Sequence, residues 1–352
     1  MIKSTYRLTD KGLTLVEVIV ALAIFLIIVP VITSVLMNVT KGFTSFEASN
    51  SLKKTNQNTL NRIYLKLTES KKIFQNIPSD PTVPHNAYLG RIVANNYIVS
   101  GIGCPKLLEN SKLPIVEEQS SLAQGTTNFT PSSVGNSLFF ANSDSTKVLT
   151  NILDGAGISH TISIDLYKFN YYYLTEENPK PMRAMPSYRL VEWESLNYAD
   201  YNQIINYTDQ TLKNNMAISL RNNNILWSWD TTVLESNINN AFYELNTDGL
   251  GKIDVKPTHT IQILKYNILT DMNTGIMGGG YKYGISSNTT YPKKVPQYAN
   301  ALGKFPGGFE VAIVGPTSGR RVFLRCVILA QGSTPGILSD DQLVLCSARD
   351  SN

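Results

Sequence analysis

One carboxylate, Glu17, lies in the apolar run LTLVEVIVALAIFLIIVPVITSVLM, residues 13–37, whose other polar members are Thr14, Thr33 and Ser34. An ionisable side chain in a bilayer costs about 2.5–3.5 kcal/mol on insertion scales, so by default it marks a functional position. The chemistry open to Glu17 is neutralisation of a positive group in an apolar environment, where pairing offsets the desolvation of both charges. Immediately upstream, Lys11-Gly12 precedes the apolar Leu13, which puts a processing site ahead of the run instead of behind it. An ordinary secretory signal has an apolar core of about 7–15 residues followed by a small-x-small cleavage site; this core is longer and its processing feature precedes it.

Elsewhere the groups that could do chemistry are sparse. Glu192 and Glu194 alternate on the stretch SYRLVEWESL and could supply paired carboxylates for glycoside hydrolysis, but two acids on a strand ordinarily form a solvated face. Asp340 and Asp341 in GILSDDQ read as a turn, because a calcium site needs six or more oxygens and no loop of that kind surrounds them. The glycine-rich GIMGGGYKYG, 275–284, matches neither a phosphate loop nor a dinucleotide fingerprint and reads as a surface loop. No G-x-S-x-G is present, and His85, His160 and His259 lack a recognisable nucleophilic partner. Cys104, Cys326 and Cys346 contain no C-x-x-C pair, which argues against zinc. In an oxidising compartment Cys326 and Cys346 could close a loop, the alternative being three buried or free thiols. Trp193, Trp227, Trp229 and the run Tyr171-Tyr172-Tyr173 could stack on sugars or nucleobases, although alternation sends half of such side chains into a core. The expectation is a chain with no enzymatic activity, no cofactor and no metal.

The elements that must position Glu17 follow from periodicity. The run 13–37 makes a helix of about 37 Å, sufficient to cross a bilayer. Lys3, Arg7 and Lys11 on its N-terminal side keep that end cytoplasmic and the body outside. Pro30 removes one helix hydrogen bond and predicts a kink or local melting near Leu26. Beyond Met37 the helix continues: Leu60, Ile63, Tyr64 and Leu67 recur at helical spacing and predict an amphipathic segment over 38–75 that caps a sheet. Residues 76–352 form the body. After the proline-rich connection NIPSDPTVPHNAYLG, strands are expected at 136–143, 160–174, 187–196, 224–230, 259–269 and 308–330, the last interrupted by a hairpin turn at Gly315 to Gly319. Short helices are expected within 198–206 and 231–245. The fold class is α+β, a long N-terminal helix packed on a large, mainly antiparallel β body.

The stretch KGLTLVEVIVALAIF resembles the leader and first helix of type IV prepilins and type II secretion pseudopilins. The resemblance implies a leader of residues 1–12, cleavage between Gly12 and Leu13 by a prepilin peptidase, methylation of the new Leu13 amine, and a registration role for Glu17. There the fifth mature residue pairs with the N-terminus of a neighbouring subunit and fixes the axial stagger. Two departures stand out: the family most often has Phe where this chain has Leu13, and Pro30 is not at the family's usual proline position. The partners implied are the peptidase, other pilin or pseudopilin subunits and an inner-membrane assembly platform. The implied location is the inner membrane, single-pass, with a periplasmic body, and then a pilus-like filament.

Composition agrees with an extracytoplasmic β-rich body: 16% charged residues and 18 Tyr. Setting residues 1–12 aside lowers the net charge from +4 to about +2, with no Lys/Arg run left to serve nucleic acid. Tyr188, Arg189, Val191, Trp193, Glu194, Ser195 and Tyr198 to Tyr201 also resemble a stretch of large cyanobacterial minor pseudopilins of the hormogonium polysaccharide secretion group, which implies a nonenzymatic part of a secretion or motility machine. The expected function is a minor pilin or pseudopilin that initiates or caps a filament. The competing readings are an adhesive tip subunit that binds glycan or DNA, and a membrane-anchored envelope enzyme.

Overall fold

The computed structural model describes residues 14–76, 87–92, 98–99, 102–107, 111–118, 133–175, 187–245, 253–270, 282–286, 308–331 and 337–350. The first helix, α1, runs Leu15–Thr68, 54 residues and about 81 Å long. It is followed by β1 (Ser70–Phe74), β2 (Ile98–Val99), β3 (Ile102–Gly103), β4 (Val116–Glu117), β5 (Leu138–Leu153), β6 (Ser159–Thr175), β7 (Ser187–Ser195) and β8 (Tyr198–Asp200). Then come α2 (Tyr201–Ile205), α3 (Gln210–Asn222), β9 (Trp227–Trp229), β10 (Phe242–Leu245), β11 (Ile253–Val255) and β12 (Ile263–Ile268). The last strands are β13 (Lys282–Ser286), β14 (Phe309–Val314), β15 (Arg320–Gln331) and β16 (Ile337–Ala348).

The sheet is built on β6. From Ser159 to Tyr172 it pairs with β5, while its other edge is shared between β7 and β8. β7 in turn carries β12 and, at its start, β13, which leads to β15 flanked by β14 and β16. These pairings are antiparallel; β8 with β9 and β14 with β4 are parallel. The class is thus α+β with a mostly antiparallel body.

Among the described residues, three cores hold the layers together. The first lies between α1 and the sheet and includes Leu60, Ile63, Leu67, Phe140, Tyr172 and Cys326. The second, on the opposite face of β6, is aromatic and centres on Phe169, Trp193, Trp229 and Phe242. The third joins Leu149, Ile162 and Ile164 to Leu212 and Met216 of α3. An extra residue in β5, between Ser143 and Ser145, lets one strand serve both α1 and α3. Side chains alternate across a strand, so Phe140 and Leu149 would otherwise point to opposite faces; the bulge switches the parity and returns Leu149 to the face shared with α1.

Several sequence expectations are corrected. The helix ends at Thr68, and residues 70–74 form a strand paired with β5, so the helical segment does not reach Phe74. Helical assignment continues through Leu26 and Pro30, so there is no local melting; the loss of one hydrogen bond is outvoted by the uninterrupted turns on either side. The segment 231–245 yields a 3-10 turn at Glu235–Asn240 and then strand β10 in place of a helix. Within 198–206 a strand precedes the helix. Asp340 and Asp341 lie within β16, not in a turn. Cys326 and Cys346 are free, buried thiols like Cys104. The β15/β16 register sets Cys326 opposite Gln342 and Cys346 opposite Val322, an offset of about 13 Å along the ladder, far beyond disulfide reach. The glycine-rich stretch 275–284 and the connection 76–90 lie mostly outside the described residues.

Candidate functional site

Glu17 belongs to a capping box at the start of α1. Its Oε2 accepts from the Thr14 backbone N–H at 2.8 Å and from Thr14 Oγ1 at 2.9 Å, while Thr14 Oγ1 accepts from the Glu17 N–H at 3.4 Å. The spacing Thr14-x-x-Glu17 is the sequence signature of this arrangement. The carboxylate therefore sits at the positive end of the helix, against the backbone that immediately follows Leu13. Gly12 and Leu13 lie outside the described residues.

Downstream of the cap, α1 is bare. An 18-residue window has mean hydropathy 3.1 and no buried residue, and α1 is the one described helix long and apolar enough to cross a membrane. Thr33 and Thr40 tie their hydroxyls to the carbonyls of Val29 and Leu36, at 2.7 and 2.8 Å, which satisfies both groups without an outside partner. Ala48 is the first residue buried against the body, about 50 Å along the helix from Leu15. Apolar exposure also extends past the spanning stretch to Phe43 and Phe46.

The helix is fastened to the body by charge as well as by apolar contact. Glu192 and Glu194, expected on a solvated face, are buried beneath α1. Arg62 holds Glu192 through both carboxylate oxygens, Nε–Oε1 at 2.9 Å and Nη2–Oε2 at 2.5 Å. Lys66 Nζ lies 2.9 Å from Glu192 Oε1, reaches Asn170 Oδ1 at 3.1 Å and pairs with Glu194. Tyr172 OH and Asn267 Nδ2 complete the shell of Glu192 at 2.8 and 2.9 Å, and Lys265 meets Glu194 Oε2 at 3.2 Å. Burial pushes the Glu192 carboxyl up, but Arg62, Lys66 and Tyr172 outweigh it and hold the pKa at about 2. The same surroundings push the Tyr172 phenol well above its ordinary value, through burial first and then the adjacent carboxylate. With every oxygen committed to cations and donors, this carboxylate pair has no open face for general acid work, and Glu192 is held below the ordinary carboxylate range.

The aromatic residues are core. Trp193, Trp229, Tyr171, Tyr172 and Tyr173 are buried, because β6 and β7 are covered on both faces: Tyr172 faces α1 and its two neighbours face the second core. Trp227 is half-buried and packs on His259, with ring centres 3.9 Å apart. His259 itself is buried, takes a 3.0 Å hydrogen bond with Tyr198 OH, and is pushed down to about 4 by burial and by Arg91. The aromatic platform that a glycan- or DNA-binding tip would use is thus absent from these positions. A cavity of about 600 Å³ at the foot of α1 includes Lys71, Asp144, Thr146, Asp165 and Arg349 in its lining. Two of its carboxylates are engaged, Asp144 with Lys168 at 2.8 Å and Asp165 with Gln203 at 2.7 Å and Thr146 at 2.9 Å. Among the described residues no group of three or more His, Cys, Asp or Glu could hold a metal ion.

Residues 7–29 match the model of the prokaryotic N-terminal methylation motif, a type IV pilin-like prepilin signal. No curated protein and no solved structure matches the chain. The motif brackets Gly12, Leu13 and Glu17 and falls on the start of the bare, apolar α1, an arrangement consistent with membrane anchoring and with the context of a prepilin peptidase substrate.

Proposed function

We propose that this chain is a minor pilin or pseudopilin: a nonenzymatic, single-pass inner-membrane subunit that a prepilin peptidase cleaves between Gly12 and Leu13 and methylates at Leu13. The observation that carries the proposal is the methylation motif lying at the capped start of a helix that is exposed for about 50 Å and then clamped to a β body. Glu17 is held at the N-terminal end of its own helix, where the amine of a cleaved Leu13 would emerge. In an assembly, that carboxylate pairs with the N-terminus of a neighbouring subunit and sets the axial stagger. A periplasmic body of this bulk suits the tip of a filament better than its repeating shaft, so the role is to initiate or cap a pilus-like filament. Its likeness to polysaccharide-secretion pseudopilins over Tyr188 to Tyr201 supports a filament used for secretion, of polysaccharide among other cargoes, or for motility.

The test is Glu17→Ala in cells that assemble the filament. Normal processing and normal membrane insertion are expected, with loss of the subunit from sheared filaments. Glu17→Ala recovered in filaments at the wild-type level would overturn the registration role, and wild-type protein as abundant as the shaft subunit would overturn the tip position.

A further inference from the structure

The face of α1 that meets the body carries two interleaved sets of side chains. One is apolar: Ala48, Leu52, Leu60, Ile63 and Leu67. The other is polar, Asn56, Thr59, Arg62 and Lys66, spaced three, three and four residues apart so that all four stay on one face. Each polar member is held by the body. Asn56 Nδ2 donates to the Cys326 carbonyl at 3.0 Å and to Asp340 Oδ2 at 2.8 Å, Thr59 Oγ1 reaches the Leu269 carbonyl at 3.4 Å, and the two cations meet Glu192 and Glu194.

These two sets respond differently to sliding. Apolar attraction is non-directional, and packed helices are known to ratchet by one turn, about 5.4 Å. Such a slip would carry α1 along β16, which runs in the same direction, since Asn56 meets Asp340 and, further on, Tyr64 meets Cys346. The polar set blocks it. A shift of four residues either way leaves one α1 cation for two buried carboxylates and puts Leu52 or Leu60 where Asn56 donates. A buried charge deprived of its partner is penalised far more than a repacked apolar contact.

We propose that Glu192 and Glu194, together with Asn56, form a register lock that fixes the axial position of the body on α1 against a one-turn slip. Arg62 lies about 68 Å along the helix from Glu17, so the lock also sets the height of the body above the membrane and its stagger relative to the helix start. That consequence rests on the membrane-anchored reading; the lock itself does not.

The experiment measures distances by pulsed electron resonance in the full chain in detergent, with nitroxides on Gln57→Cys and Ser347→Cys. Both positions are exposed and the three native thiols are buried. Wild type should give one distance. The neutral combination Arg62→Met, Lys66→Met, Glu192→Gln and Glu194→Gln should add a second population displaced by about 5 Å, whereas Lys66→Arg alone should keep one. A single, unmoved distance in the neutral combination overturns the lock. Should that combination fail to fold, Asn56→Leu decides, because it changes no charge and adds apolar surface: a second population supports the lock and an unmoved distance overturns it. An uncleaved leader in a separate processing assay would sink the anchored reading while leaving these distances as they are.

Discussion

Acidifying the protein should release the clamp in a calculable way. Glu192 is fully buried, and its pKa falls from the ordinary 4.5 to about 2 in the folded chain. At about 1.4 kcal/mol per pH unit, that difference links to about 3 kcal/mol of folding stability. The sign follows from the depression. The contribution is present in full above pH 4.5, where the unfolded carboxylate is also ionised, and is lost as pH falls from there through about 2. Glu192→Gln removes the titrating group, so its stability curve lacks this component. The assay is urea unfolding of wild type and variant in detergent at about pH 7, 4 and 2.5, followed by tryptophan fluorescence, since Trp193 and Trp229 are buried beside β6 and β7. The expected result is a wild-type advantage of about 3 kcal/mol at neutral pH that is mostly gone by about pH 2.5. Parallel curves for the two proteins over the whole range would refute the assignment of Arg62 and Lys66 as the groups holding this carboxylate.

Other consequences are simpler to measure. Arg320 and Asp350 pair at 3.0 Å with both side chains buried, and Asp350 also accepts the Ile73 N–H at 3.3 Å. Asp350→Ala removes one of the two carboxylates that meet this buried guanidinium, leaving Glu118 at 3.0 Å, and should cost about 1.5–3 kcal/mol in a thermal or urea melt. Gly135 passes so close to the preceding segment that an added Cβ would lie 2.4 Å from the Pro114 nitrogen and 2.6 Å from the Lys112 oxygen, so Gly135→Ala should lose about 1–3 kcal/mol in the same melt. Phe169, stacked and edged by Phe139, Tyr198 and Trp229 in the second core, should cost about 3–5 kcal/mol as Phe169→Ala. Burial pushes the Cys104 and Cys346 thiols up to about 12 and 11, so a thiol reagent should modify none of the three cysteines until urea unfolds the body, and reductant should leave the melting temperature unchanged.

What can be read from the sequence is what repeats. The bare part of α1 shows in unbroken hydropathy, its packed part in Leu60, Ile63 and Leu67, and β6 and β7 in alternation rich in aromatic and β-branched residues. The hairpin at Gly315 is legible because its turn needs a glycine, which there takes φ of 97°. Burial is less legible. Glu192 and Glu194 read as solvated because their partners, Arg62 and Lys66, stand about 130 residues away in sequence, and no local pattern encodes that meeting. The end of α1 is hard to place for a similar reason: Ser70 to Phe74 carry no helix-stopping residue, and pairing with Phe139 to Asn142 makes them a strand. Helix α3 is started and stopped by polar caps, Asp209 and Asn223, around a polar sequence whose apolar stripe is only Leu212, Met216, Ala217 and Leu220. In the candidate site, Glu17 stands out by its charge alone, whereas its capping partner Thr14 shows only through the three-residue spacing between them.

The most direct test of the central claim is the intact mass and N-terminal sequence of the full chain expressed with and without a prepilin peptidase, alongside Gly12→Leu. The expected product is a mature chain beginning at Leu13 and carrying one added methyl group, seen only with the peptidase and abolished in Gly12→Leu. A chain that keeps residues 1–12 in the presence of an active peptidase would contradict it.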